Sequence, residues 1–283
     1  MSRLFVVATP IGNLRDITLR ALEVLRSVGH IAAEDTRHTA KLLHHYEIST
    51  PLVSYHEHNQ RRQLPRILAL LAQGDVALVS DAGTPGINDP GAELIVAADA
   101  VGHKVVPLPG PSALSAVLSI AGFGPGPVHF LGFLPRKSKA RRDLIECYAA
   151  LPGVTAFFET PHRLHATLAD IAAVAGAQQL VVGRELTKLH EEIVRGPATE
   201  VAARFAAGQP RGEFVLVLRG TGDDGGPPEV RETAPKTLKQ DDAALAQRFA
   251  TLCDTLGDRR QALAQLVTET GQPRREVYRR LHQ

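Results

Sequence analysis

The chain has 283 residues, 44% of them hydrophobic and 22% charged, with a formal net charge of +2. That length holds two modest domains, or one larger domain with an appendage, and the apolar content excludes disorder of the whole chain. The near-neutral balance names no class of partner, so any nucleic-acid role must rest on local clusters.

The first half alternates short apolar runs with longer amphipathic ones. Leu4–Ala8 (LFVVA) reads as a buried strand closed by Pro10 and Gly12. Ile17–Val28 follows with helical spacing and Asp16 as its expected N-cap. His30–Ala33, Leu52–Tyr55, Val76–Ser80 and Lys104–Leu108 are the next strands, with helices over Leu64–Ala72 and Ala92–Val101 between them. Apolar strands separated by helices predict crossover units and a largely parallel sheet. The small-residue helix Ala113–Ala121 closes this half, and GFGPGP (122–127) marks a domain boundary.

Strands are next expected at Val128–Phe133, Val154–Glu159, Leu180–Arg184 and Glu213–Arg219, and helices at Lys139–Ala150, His162–Ala175 and Ala198–Ala207. Gly220–Pro235, rich in Gly, Pro and acid, has the composition of a linker. Three short helices follow, over Asp242–Leu256, Arg259–Thr270 and Arg274–Leu281, and TGQP (270–273) resembles the turn of a helix-turn-helix with Arg274, Arg275, Arg279 and Arg280 on its last helix. The expected division is 1–121, 122–220, a linker over 221–236 and a helical extension over 237–283.

Cys147 and Cys253, the two cysteines, follow no metal-ligand spacing and form no disulfide framework, which fits a reducing cytoplasm. No apolar run is long enough for a signal or a membrane span, so a soluble, cytoplasmic protein is expected.

Chemistry is concentrated in loops that follow strands. LVSDAGTPGINDPG (78–91) has the glycines of a phosphate turn, yet it carries Asp81 and Asp89 and no lysine. Walker spacing and the dinucleotide glycine fingerprint are both absent. Carboxylates in such a loop suit a ligand with hydroxyl, ammonium or cationic groups, a description that S-adenosylmethionine meets without any phosphate. The alternative is a tight turn whose aspartates cap helices, and Asp89 before Pro90 fits that role. TPIGNL (9–14) and PGPSA (109–113) are loops of the same kind, and the three are expected to converge at one sheet edge.

AEDTRH (33–38) places Glu34, Asp35 and Arg37 at another strand end, as a proton-transfer or substrate-positioning group or as a self-neutralising ion-pair cluster. The pairs His44/His45 and His56/His58 lack further ligands at metal spacing and read as surface histidines; no metal is expected. LPRKSKARR (134–142) gathers Arg136, Lys137, Lys139, Arg141 and Arg142, a local field that would attract RNA phosphates. Interleaved aromatics are missing, so base stacking is not expected there.

TPIGNLRDIT, AEDTRHT, SDAGTPGINDPG, PLPGPSA, GFLPRKSKARRD, ETPHRL and GRELTK occur here in the order seen in bacterial 16S ribosomal RNA cytidine 2′-O-methyltransferases, which the chain resembles from Leu4 to Arg219. These form part of the tetrapyrrole-methylase-like (class III) methyltransferase superfamily. The resemblance implies an α/β protein: two α/β domains with S-adenosylmethionine in the cleft between them, a small helical C-terminal extension and a homodimer. It carries cofactor contact to Pro10, to Asp81, Gly83, Thr84 and Ile87, to Ser112 and Ala113, and to Phe158 and Leu186. Small-molecule methylases of the superfamily commonly show GDP where this chain has SDAGTP.

The reaction so implied is 2′-O-methylation of a ribose in 16S ribosomal RNA or the small subunit. Asp35, Glu34 and Glu159, or an ordered water alone, are the candidates for proton removal, Arg37 for orienting a phosphate, and the 136–142 segment for gripping RNA. Methylation of a tetrapyrrole, and ligand sensing by a nucleic-acid-binding regulator, are the competing readings. The basic segment and the helical tail count against the tetrapyrrole.

Overall fold

The computed structural model describes residues 1–222, 242–270, 277 and 280. The chain divides into two compact units, Met1–Asp224 and Gly225–Gln283.

In the first unit the chain runs β1 (Arg3–Val7), one 3-10 turn (Leu14–Asp16), α1 (Leu19–Ser27), β2 (His30–Ala33), α2 (Thr36–His45), β3 (Leu52–Ser54), α3 (Gln60–Leu71), β4 (Val76–Val79), α4 (Ala92–Ala100), β5 (Lys104–Leu108) and α5 (Ala113–Ala121). The five strands form one sheet in the order β3-β2-β4-β1-β5, and every pairing is parallel. Successive side chains of a strand leave by opposite faces. Phe5, Val7, Ile31, Ala33, Ala77 and Val79 therefore pack with α1 and α2, through Leu22, Leu25, Leu42 and Leu43. Leu4, Ala32, Val53, Val76 and Leu78 face the other way, toward Ile67 and Leu71 of α3 and Leu94 of α4. Both faces are buried over β1, β2 and β4, which is why those strands read as continuous apolar runs.

Three details depart from expectation. Thr18, and not Asp16, caps α1, its side chain accepting from Ala21 N–H at 3.1 Å; Asp16 closes the preceding 3-10 turn. The helix α2 was not foreseen, because its buried face consists of only Thr39, Leu42 and Leu43 among charged and histidine residues. Asp89 does not cap α4: Gly91 does, with φ 150° and no side-chain bond, so the helix starts after the Asp89-Pro90 pair.

A second five-stranded sheet follows, built from β6 (Val128–Phe133), α6 (Ser138–Ala149), β7 (Val154–Glu159), α7 (Pro161–Ala175), β8 (Gln179–Arg184), β9 (Glu192–Pro197), α8 (Ala198–Phe205) and β10 (Phe214–Arg219). Its order is β6-β7-β10-β8-β9; β6 pairs parallel with β7 and all other pairings are antiparallel. The strand β9 (EIVRGP) was not foreseen, since it is edge-placed, buries only Val194 and is interrupted by charge. One face carries α6, α7 and α8 over Phe157, Leu180, Val182 and Leu216. The other face, formed by Val154, Ala156, Val181, Val215 and Val217, is covered by α5, through Val117 and Ala121, and by Ile11. Helix α5 thus belongs to the first half in sequence and to the second sheet in packing.

The second unit contains α9 (Asp242–Leu256) and α10 (Arg259–Thr270), which bury Leu245, Leu252, Ala262, Leu263 and Leu266 and are tied by Arg248, whose guanidinium holds Glu269 at 2.8 and 2.9 Å. Most of the expected linker, the TGQP turn after Thr270, and Arg274, Arg275 and Arg279 lie outside the described residues. Among the described residues no helix is long and apolar enough to cross a membrane.

Candidate functional site

Strands β4, β1 and β5 are neighbours, so the loops leaving their carboxyl ends meet above the sheet. Thr9 and Gly83 exchange backbone hydrogen bonds at 2.8 and 2.9 Å, and the Thr84 hydroxyl donates to Pro111 O at 3.2 Å. Gly83 sits at φ 82°, a conformation natural to glycine that lets the second loop turn back onto the first. Opposite them stand the ends of β7 and the start of β10. The cleft between has a volume of about 390 Å³, within the roughly 300–1,000 Å³ usual for small-molecule sites.

Its lining combines apolar surface from Ile11, Ile87, Phe133 and Phe158 with the carboxylates Glu34, Asp81, Asp89, Glu159 and Glu213. Among the described residues that line it there is no Lys, Arg or His. A phosphate-bearing cofactor would be repelled here, whereas a sulfonium and an ammonium group would be attracted and ribose hydroxyls accepted. The donor set fits S-adenosylmethionine.

The carboxylates of the first wall crowd one another. Burial pushes the Glu34 pKa up, and the charges of Asp81, Asp89 and Asp35 push in the same direction. Asp89, hydrogen-bonded by Ser80, is likewise raised by burial and then by Asp81. Asp81 accepts the Asp35 N–H at 2.9 Å, and its own N–H lies 3.4 Å from Glu34 Oε2.

The structure brings together Asp81, Gly83, Thr84, Ile87, Ser112, Ala113, Phe158, Glu34 and Glu159 around this cleft. Pro10 is buried beside it and Ile11 takes the lining position. Leu186 packs in the core on the α5 side of the second sheet and does not reach the lining. Asp35 faces away, into an adjoining open cavity of about 480 Å³ that it shares with Glu34, Thr36, Arg37, Ser54, His56, Glu57 and His58. It is the N-cap of α2, and the exposed Arg37 at 2.9 Å lowers its pKa to about 2. Glu159 has no exposed side-chain surface and is fully engaged: Thr160 N–H donates to it at 2.8 Å, Thr167 Oγ1 at 2.6 Å, and Arg163 lies at 3.4 Å. These bonds hold the β7–α7 junction.

The basic segment divides in two. Arg136, Lys137 and Lys139 are exposed. Arg141 is not available to RNA: its side chain is 4% exposed, paired with Asp170 at 2.5 Å, and donates to Pro135 O and Arg136 O at 3.2 Å. Arg142 is half-exposed and lies 3.3 Å from the same Asp170. The burial of Arg141 had a sequence signal, for it shares one helix face with Ile145 and Ala149 at i, i+4 and i+8. The role of Asp89 in the cleft was missed because its Pro neighbour imitates a helix start. Among the described residues no group of three or more His, Cys, Asp and Glu is placed to hold a metal.

The model of the tetrapyrrole (corrin/porphyrin) methylases matches residues 3–202. The chain belongs to that family. This methylase is 44% identical over 281 residues to the ribosomal RNA small subunit methyltransferase I of Synechocystis sp., covering 98% of this chain and 96% of the relative. It is 42% identical to the Bacillus subtilis protein of the same name, over 100% of this chain and 94% of the relative. Among solved structures, a diphthine synthase superposes with a TM-score of 0.60 at 15% identity, covering 77% of this chain and 90% of that one. The Thermus thermophilus uroporphyrin-III-C-methyltransferase gives 0.55 at 18% identity, covering 77% and 94%. These two establish the α/β methylase fold alone. The methylase is an S-adenosylmethionine-dependent methyltransferase.

Proposed function

We propose that this methylase transfers a methyl group to the ribose 2′-hydroxyl of a cytidine in 16S ribosomal RNA of the small subunit, acting in the cytoplasm as a homodimer. The observation that carries the reading is a cleft rich in carboxylate, with no Lys, Arg or His among the described residues that line it, in a chain similar over nearly its whole length to ribosomal RNA small subunit methyltransferases I. When bound, S-adenosylmethionine supplies an electrophilic methyl on a sulfonium. Asp81, Asp89, Gly83, Thr84, Ser112 and Ala113 would hold it from the first wall, with Phe158 on the second. The methylase halves are 1–121 and 122–220, followed by a linker over 221–236 and the helical extension over 237–283.

Methyl transfer is an in-line displacement, so alignment of the attacking oxygen supplies much of the acceleration. Glu34 is the proton acceptor of choice among the three carboxylates read from sequence. It lines both the cleft and the adjoining cavity, and its raised pKa makes it a stronger base than an ordinary carboxylate, while Asp35 is held by Arg37 and Glu159 by Thr160, Thr167 and Arg163. The exposed Arg136, Lys137 and Lys139 contact RNA phosphates.

The test is incubation of the chain and labelled S-adenosylmethionine with small ribosomal subunits, naked 16S RNA and a uroporphyrinogen. Label in a ribose-methylated cytidine is expected; label in the tetrapyrrole alone, or in nothing, overturns the reading.

A further inference from the structure

The order of the parallel sheet separates two sites by strand. The donor cleft opens above the ends of β4, β1 and β5, and the second cavity above the ends of β2 and β3, next in line. Adjacent strands lie about 4.8 Å apart, so the two are one or two strand spacings from each other. Glu34, at the end of β2, lines both.

We propose that the cavity walled by Glu34, Asp35, Arg37, Ser54, His56 and His58 holds the nucleotide that accepts the methyl group, an inference that rests on the ribosomal RNA reading above. Its chemistry contrasts with that of the donor cleft. Here a guanidinium, two imidazoles and the hydroxyls of Thr36 and Ser54 stand with carboxylates, the mixed set that a phosphorylated sugar and a polar base require. Arg37 is exposed and its partner Asp35 belongs to the same wall. Arg37 gives Asp35 its Nε and one terminal nitrogen, and its exposed guanidinium has further donors with which to meet a phosphate.

The loop that carries the histidines is preorganised. Asn59, buried, accepts from His56 N–H at 2.9 Å and donates to Ser54 Oγ at 2.9 Å. That bond leaves the Ser54 proton for another acceptor. His56 and His58 meet edge to face with centroids 6.0 Å apart, and His56 Nδ1 is buried without a hydrogen-bond partner among the described residues. Buried polar nitrogen is seldom left unpaired, and a ligand drawing the ring outward would pair it. A nucleotide seated here would present its ribose toward Glu34, at the border with the methyl donor.

The deciding experiment compares the full chain with Arg37→Gln, His58→Gln and the combination with Ser54→Ala, on small ribosomal subunits. Donor affinity is measured by calorimetry alongside single-turnover rates at saturating RNA. A misplaced acceptor lowers the rate at saturation, on the order of 10²-fold for the triple variant, with donor affinity unchanged. Equal rates in wild type and variants would overturn the subsite while leaving the RNA reading intact. Loss of donor affinity in the same proportion would also overturn it, by making these residues part of the donor cleft. A wild-type chain that labels no ribosomal RNA overturns both readings.

Discussion

The two walls of the cleft use carboxylates in opposite ways. On the second wall and behind it, Glu159 pairs with Arg163, Glu185 and Glu213 with Lys188, and Asp170 with Arg141 and Arg142. On the first wall Glu34, Asp81 and Asp89 face one another, with no basic side chain lining the cleft among the described residues. Paired acids hold strands and helices in place. Crowded, uncompensated ones sit at the expense of the apo fold, and a positively charged ligand relieves them. Local pairing, more than the presence of an acid, separates architecture from site.

The strongest way to break this contrast lies behind the second wall. Arg141→Ala leaves Asp170 buried with only a half-exposed partner, and breaking a buried pair costs about 3–5 kcal/mol. Urea unfolding should show a loss of that order. A stability unchanged by the substitution would mean that the pair is not structural. On the first wall, Asp81→Asn keeps an acceptor for Asp35 N–H but removes the charge. We expect donor affinity by calorimetry to fall by about 1.5–3 kcal/mol, the usual worth of a hydrogen bond to a charged group, with little change in unfolding midpoint.

The RNA face gives a subtler readout. Neutralising Arg136, Lys137 and Lys139 together should lower the slope of log affinity against log salt by roughly 0.7–0.9 for each RNA phosphate that no longer meets a cation. Arg141 should contribute nothing to that slope.

The smallest effect is in pH. Glu34 and Asp89 have folded-state pKa values raised above ordinary ones, so their ionised forms are disfavoured by the fold. They subtract stability above those raised values, and that stability is recovered as pH falls through them toward the unfolded carboxylate range. A cationic donor favours the ionised forms. Calorimetry in buffers of different ionisation enthalpy should therefore show protons released on donor binding within and just above the ordinary carboxylate range, and fewer in Asp89→Asn. Proton uptake in that range would contradict the crowding of these carboxylates.

Much of this was legible in the chain. Strands buried on both faces announce themselves as apolar runs, so β2 and β7 were placed to the residue; the less buried edge strands β5 and β6 were placed as well, by their Val, Leu and Phe content between Gly and Pro breaks. The loops of the first wall were visible because Gly, Pro and Asp cluster after strands. What sequence hid was tertiary: that Arg141 turns inward to Asp170, that Asp89 faces the cleft, and that the histidines after β3 stand beside Glu34. The edge strand β9 and the helix α2 escaped because each buries too few residues to establish a period.

The position of α5 has a consequence for anyone who would take the molecule apart. GFGPGP invites a cut between residues 121 and 128, as though two modules were joined there. A fragment beginning at Val128 would carry its sheet with Val154, Ala156, Val181, Val215 and Val217 stripped of cover, a greasy face prone to self-association. Expressed separately, the halves should be insoluble or recombine. Expressed whole, they should melt in one transition, because the helix that starts at the donor loop of one sheet is the lid of the other.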